Sequence, residues 1–63
     1  MKLINKRVTS ERTSLHPASI MRLVKIDKFP KPVELGSARI AFVEEEVDAW
    51  IEARAAERRS RVK

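Results

Sequence analysis

A chain of 63 residues without cysteine makes one small domain that must fold by packing alone, with no disulfide framework or thiolate metal site to help. Its single histidine excludes the usual zinc arrangements, and no apolar run approaches the roughly 18 residues of a membrane span. The formal charge of +5 favours a polyanionic partner.

No apolar signal-like stretch follows Met1, so the chain reads as soluble, intracellular and complete as it stands. Charge is unevenly spread. Arg54, Arg58, Arg59, Arg61 and Lys63 crowd the end, whereas Ile40 to Ala53 holds no base but carries Glu44, Glu45, Glu46, Asp48 and Glu52. Clustered basic excess is the electrostatic footprint expected of a nucleic-acid binder.

In chain order, Asn5 is a candidate N-cap for a short first helix from about Lys6 to Thr13. Val8 is its only large aliphatic residue, so this helix holds only by docking on the rest. Thr13-Ser14-Leu15-His16 reads as a turn, with His16 as N-cap and Pro17 at the first position of helix two, where a missing N–H costs nothing. Helix two runs to Ile26 or Lys28. Ile20, Leu23 and Val24 recur at core spacing, leaving Ala18, Ser19, Arg22 and Lys25 facing outward.

Pro30 and Pro32 forbid helix and impose extended backbone. Val33 and Leu35, then Ile40 and Phe42, alternate with their neighbours as a two-stranded hairpin joined through Gly36-Ser37-Ala38-Arg39. All four apolar residues are expected inward, with Gly36 supplying a positive φ and Lys31, Ser37 and Arg39 free at the ends and tip. Helix three starts near Val43 or Glu44. Its first-turn glutamates complement the helix dipole, and Val47, Trp50, Ile51 and Arg54 share its core-facing stripe. Beyond Ala56 nothing remains to bury, so fraying is expected and residues 57–63 read as a basic tail to a domain of residues 1–56.

Three segments now carry a resemblance. Thr13-Ser14-Leu15-His16-Pro17-Ala18-Ser19-Ile20-Met21-Arg22-Leu23 resembles the helix-turn-helix of the AlpA family, whose pattern is Thr-Gly-Leu-Ser-x-x-Thr-Ile-Tyr-Arg-Leu. Phe29-Pro30-Lys31-Pro32-Val33-Glu34-Leu35-Gly36 and Glu46-Val47-Asp48-Ala49-Trp50-Ile51 are similar to that family's Phe-Pro-x-Pro-x-x-Leu-Gly and its Glu-(Ile/Val)-Asp-x-Trp-(Ile/Leu) ending. The likeness covers about residues 13 to 54. It departs at Ser14 (usually glycine), His16 (usually serine), Met21 (usually aromatic) and Thr9 (usually apolar). The resemblance implies phage- and island-borne regulators and recombination directionality factors, related to lambda excisionase and to the winged-helix head of MerR regulators.

The expected fold is therefore α+β, a small winged helix-turn-helix ordered helix, helix, two-stranded wing, helix. Helix two would enter the major groove, with Ala18, Ser19, Arg22 and Lys25 as candidate contacts and His16 at a phosphate. Lys31, Ser37 and Arg39 would touch backbone or minor groove from the wing. Trp50 reads as core. Consecutive glutamates 44–46 point in different directions and cannot converge on one ion, so no metal or other cofactor is expected. Without a nucleophile–base grouping or a Gly-rich phosphate loop, an enzyme is not expected.

Expected partners are double-stranded DNA, an integrase, and further copies bound alongside on DNA, in the bacterial cytoplasm at the nucleoid and away from membranes. Acidic helix three against a neighbour's basic wing would support such loading, since no heptad offers a coiled-coil dimer. The competing function is an adaptor whose main partner is a protein such as a tyrosine integrase, with weak DNA binding.

Overall fold

The computed structural model describes the backbone of residues 1–61 and the side chains of residues 1–58. In order come β1 (Leu3–Ile4), α1 (Lys6–Thr13), α2 (Pro17–Lys25), β2 (Val33–Gly36), β3 (Arg39–Val43) and α3 (Glu44–Arg61). The antiparallel sheet has the order β1-β3-β2. This is the α+β winged helix-turn-helix arrangement that the sequence led us to expect, with one addition. The strand β1 was not foreseen, because two residues carry no periodicity; it pairs Leu3 with Val43 and Ile4 with Phe42. The wing thus gains a third strand that anchors the N-terminus beside α3.

Ile4, Ile20, Phe29, Phe42 and Val47 form the buried core. Phe29, which the sequence reading left unassigned, meets Phe42 edge-on at 5.5 Å and Trp50 at 4.8 Å between ring centroids. Such pairs add to burial because the positive edge of one ring meets the negative face of another. Trp50 is half-buried and donates its Nε1 hydrogen to the carbonyl of Lys28 at 2.8 Å, so its polar atom is answered. Of the stripe read from the sequence, Val47 is fully buried, Trp50 and Ile51 are half-buried, and Arg54 is exposed with its guanidinium 5.5 Å from the Trp50 ring centroid.

Thr9 is completely buried where an apolar residue would be usual. Its hydroxyl donates to the carbonyl of Asn5 at 2.9 Å, and Asn5 in turn caps α1 by accepting the Val8 N–H at 2.8 Å. The polar group is therefore satisfied within its own helix, and the methyl group is left to pack. Arg12, on the same helix, reaches α3 through ion pairs with Glu44 and, at 2.8 Å, Asp48. Hydrogen bonding to Asp48, with help from Glu44, holds the guanidinium above its ordinary range.

The wing corrects the expectation that Val33 and Leu35 face inward: both are exposed, at 36% and 54%. β2 is the outer strand of the order β1-β3-β2 and is exposed along its whole length. Val33 lies opposite Ala41 and Glu34 opposite Ile40, so the β2 residue sharing a face with Ile40 and Phe42 is Glu34, itself exposed. The pairing then slips between Glu34 and Gly36, which turns the strand at Leu35. α3 runs through Arg61, past the Ala56 where fraying was expected, while the expected basic tail extends to Val62 and Lys63, outside the described residues.

Candidate nucleic-acid interface

α2 is defined sharply at both ends by local chemistry. Pro17 occupies its first turn, and His16, in extended backbone, caps it by accepting the Ala18 N–H on Nδ1 at 3.1 Å. A neutral ring that accepts at Nδ1 carries its hydrogen on Nε2, which leaves an outward donor on an exposed side chain. At the other end the Lys28 N–H bonds the Leu23 carbonyl at 2.8 Å and the Asp27 N–H bonds the Val24 carbonyl at 3.1 Å. With Asp27 at φ 61, this is a Schellman cap built on aspartate instead of glycine, and it ends the helix at Lys25.

Ile20 fixes the rotation of that helix by being wholly buried. Ala18, Arg22 and Lys25 then stand together as an exposed stripe at positions i, i+4 and i+7, with Ser19 half-buried on its flank. Arg22 and Lys25 make no ion pair among the described residues. The stripe is small near its start and cationic near its end, so a surface of negative charge could approach it closely.

The wing presents a second exposed group. Ser37 and Ala38 form the turn between Gly36 and its partner Arg39, and Ser37 and Arg39 are both exposed. Gly36 has the positive φ, 148°, that was expected, but Ala38 also adopts a left-handed conformation at 63°. Lys31 lies apart from the tip, before β2, and pairs with Asp27 at 3.4 Å with both side chains about three-quarters exposed, at 74%. A pair so exposed in water is weak and readily exchanged for another anion.

The candidate residues thus fall into two sets: His16, Ala18, Ser19, Arg22 and Lys25 on α2, and Ser37 with Arg39 at the wing tip, with Lys31 between them in sequence. Sequence reasoning passed over Lys6, Arg7 and Lys28, which are exposed and make no ion pair among the described residues. Lys6 and Arg7 sit in the first turn of a helix that was judged only by its lack of apolar residues. The signal that was available was their charge.

A family model described as the prophage CP4-57 regulatory protein (AlpA) matches residues 2–55. The chain belongs to the AlpA family. The match takes in every strand, α1, α2 and more than half of α3, so it spans the folded body and not only the helix-turn-helix. AlpA proteins are small DNA-binding regulators, and this AlpA-family chain carries their helix-turn-helix and wing. No curated protein and no solved structure matches it. Among the described residues, no helix is long and apolar enough to cross a membrane.

Proposed function

We propose that this AlpA-family protein reads DNA by placing α2 in the major groove and its wing in the adjoining minor groove. The observation that carries this reading is the exposed Ala18–Arg22–Lys25 stripe, whose two cations make no ion pair among the described residues. Arg22 supplies the base contact, most simply to a guanine edge, and Lys25 a phosphate contact. Ala18 and Ser19 permit close approach at the helix start. His16 donates Nε2–H to a phosphate. Ser37, Arg39 and Lys31 bind backbone from the wing and set position without reading sequence.

One short helix and one wing bury little surface, so useful occupancy comes from several copies on directly repeated sites. Arg39 of one copy would face the acidic side of α3 in the next. Glu44 and Asp48 are engaged by Arg12, which leaves Glu45 and Glu46 for that role. Bound in this way at the bacterial nucleoid, the protein would bend DNA and either direct a tyrosine integrase towards excision or control a promoter. Both tasks use the same reading surface.

Titrating DNA that carries one site against DNA that carries two or three tests the proposal. Tighter binding per site on the repeats, with a steep fall in affinity as salt rises, is the expected result. A tight dimer in ultracentrifugation, or equal per-site affinity on all three DNAs, would replace it with a dimer that reads a palindrome.

A further inference from the structure

Trp50 borders three hollows, and two of them, of about 350 and 380 Å³, share Trp50 and Arg54 along α3. Their floor is apolar and half-buried: Leu15 and Leu23 from the helix-turn-helix, Trp50, Ile51 and Ala55 from α3. Their edge is cationic. Lys28, Arg54 and Arg58 are exposed along it; Arg54 pairs with Glu57 at 3.5 Å, an exposed and therefore weak pair that a partner's carboxylate can replace, and Arg12 closes the end of the groove while remaining held by Glu44 and Asp48. Leu23 follows Arg22 by one residue, about 100° further round α2, so this groove flanks the DNA-reading stripe without including it.

On α3 the groove residues fall at 50 and 51, 54 and 55, then 58, which is one straight helical stripe of about 12 Å. A stripe of that form is matched by another helix lying alongside it. Ala55 allows close approach, and the half-buried indole with Arg54 over its ring has the make-up of an interface hot spot. We infer that this groove docks an acidic amphipathic helix of a partner protein, with apolar side chains on the Trp50–Ala55 floor and carboxylates against Lys28, Arg54 and Arg58. The inference goes beyond DNA reading and does not depend on it.

Duplex DNA would bring phosphates to the rim but nothing to bury on the floor. A second copy fits no better. Glu44 to Glu46 are followed by Val47, which is wholly buried, so that turn offers no apolar side chain to insert. The exposed large apolar residues Met1, Leu3, Ile26, Val33 and Leu35 all lie outside the helices, so they form no helical stripe to insert.

Trp50 is the chain's single tryptophan, so its emission reports on the groove directly. The probe is a tryptophan-free peptide of roughly 14 residues, four helical turns, with leucines on one face and glutamates beside them. A scrambled peptide of the same composition serves as control. Saturable change in Trp50 emission is expected, at least about tenfold weaker for the scrambled peptide and for Arg54→Glu/Arg58→Glu, a factor of ten being about 1.4 kcal/mol. Ala55→Glu, which keeps helix propensity and places a charge on the floor, should weaken peptide binding similarly while the far-UV CD melt and DNA binding hold. The inference fails if the scrambled peptide binds equally, or if no saturable change occurs. It also fails if the double substitution weakens duplex DNA as much as peptide, which would make the groove a nucleic-acid surface. Self-association that Ala55→Glu abolishes, without peptide binding, would assign the groove to a second copy.

Discussion

Arg12 and Arg22 are both exposed arginines on short adjacent helices, yet the fold treats them differently. Arg12 closes the seam between α1 and α3, held by two carboxylates of α3. Arg22 stands on the outer side of α2 with no ion pair among the described residues. A cation with protein partners has already exchanged much of its hydration for structure, whereas an unpartnered one remains free to displace counterions from phosphate. The separation extends to backbone conformation. The three non-glycine residues with positive φ, Ser14, Asp27 and Ala38, flank α2 and sit in the wing, and none lies on the seam. The reading surface is held in place by strained connections, and the seam by satisfied contacts.

The largest expected effect tests the free side. Arg22→Ala should cost about 1–3 kcal/mol of specific DNA affinity, or about 5- to 150-fold, and flatten discrimination at one position of the site. Its thermal melt should stay within about 0.5 kcal/mol of the parent, because the side chain is exposed and makes no ion pair among the described residues. Undiminished binding would remove α2 from the reading surface.

Next comes Ala38. A non-glycine residue in the left-handed region is disfavoured by roughly 1–2 kcal/mol, part of which a flexible tip relaxes. Ala38→Gly should therefore stabilise the fold by about 1 kcal/mol, seen as a higher melting temperature. No structural cost offsets this gain, since the alanine is exposed. An unchanged or lower melt would show that the tip does not hold this conformation in solution, and that the contrast between a strained wing and a relaxed seam is false.

Lys25→Gln is a milder probe. Loss of one phosphate contact should reduce the slope of log affinity against log salt by about 0.9, with little change in sequence preference. A slope that does not move would place Lys25 away from the DNA backbone, and the free stripe would then shrink to Arg22.

Much of this division was legible in the chain. Asn5, His16 and Pro17 announce the helix starts because capping is local chemistry, and apolar spacing brings Ile20 and Val47 into the core. Local chemistry did not reveal what depends on pairing between distant segments. Val33 and Leu35 alternate as an inward strand should, but β2 pairs only with β3 at the edge of the sheet and is exposed along its whole length. The role of Arg12 was equally hidden, since its carboxylates lie 32 and 36 residues away. Thr9 looked misplaced because a polar residue in a core position is judged by its side chain alone until the Asn5 carbonyl is brought to it. The candidate site was easier to list than to weigh. Residue type identified Arg22 and Lys31 alike, and only the structure separated an unpaired cation from one lying beside Asp27.

The smallest effect bears on the seam and can still overturn the comparison. Arg12 and its partners are substantially exposed, with side-chain exposures of 36% for Arg12, 20% for Glu44 and 53% for Asp48. Ion pairs in such surroundings contribute little individually, although two carboxylates share the cost of ordering one arginine. The raised affinity of the guanidinium for its proton, due first to Asp48, stabilises the fold at every pH below the ordinary arginine range and is lost only above it. From the arginine's side there is accordingly no pH dependence near neutrality, and salt is the useful variable. Arg12→Met keeps most of the aliphatic stem and removes the charge. Its melting temperature should fall slightly at low salt, and the deficit should narrow as salt screens the parent's pairs. Specific DNA affinity, measured where both proteins are folded, should be unchanged. If Arg12→Met instead weakens DNA binding while its melt matches the parent at every salt concentration, Arg12 belongs to the reading surface, and pairing in the free protein does not distinguish structural from functional cations.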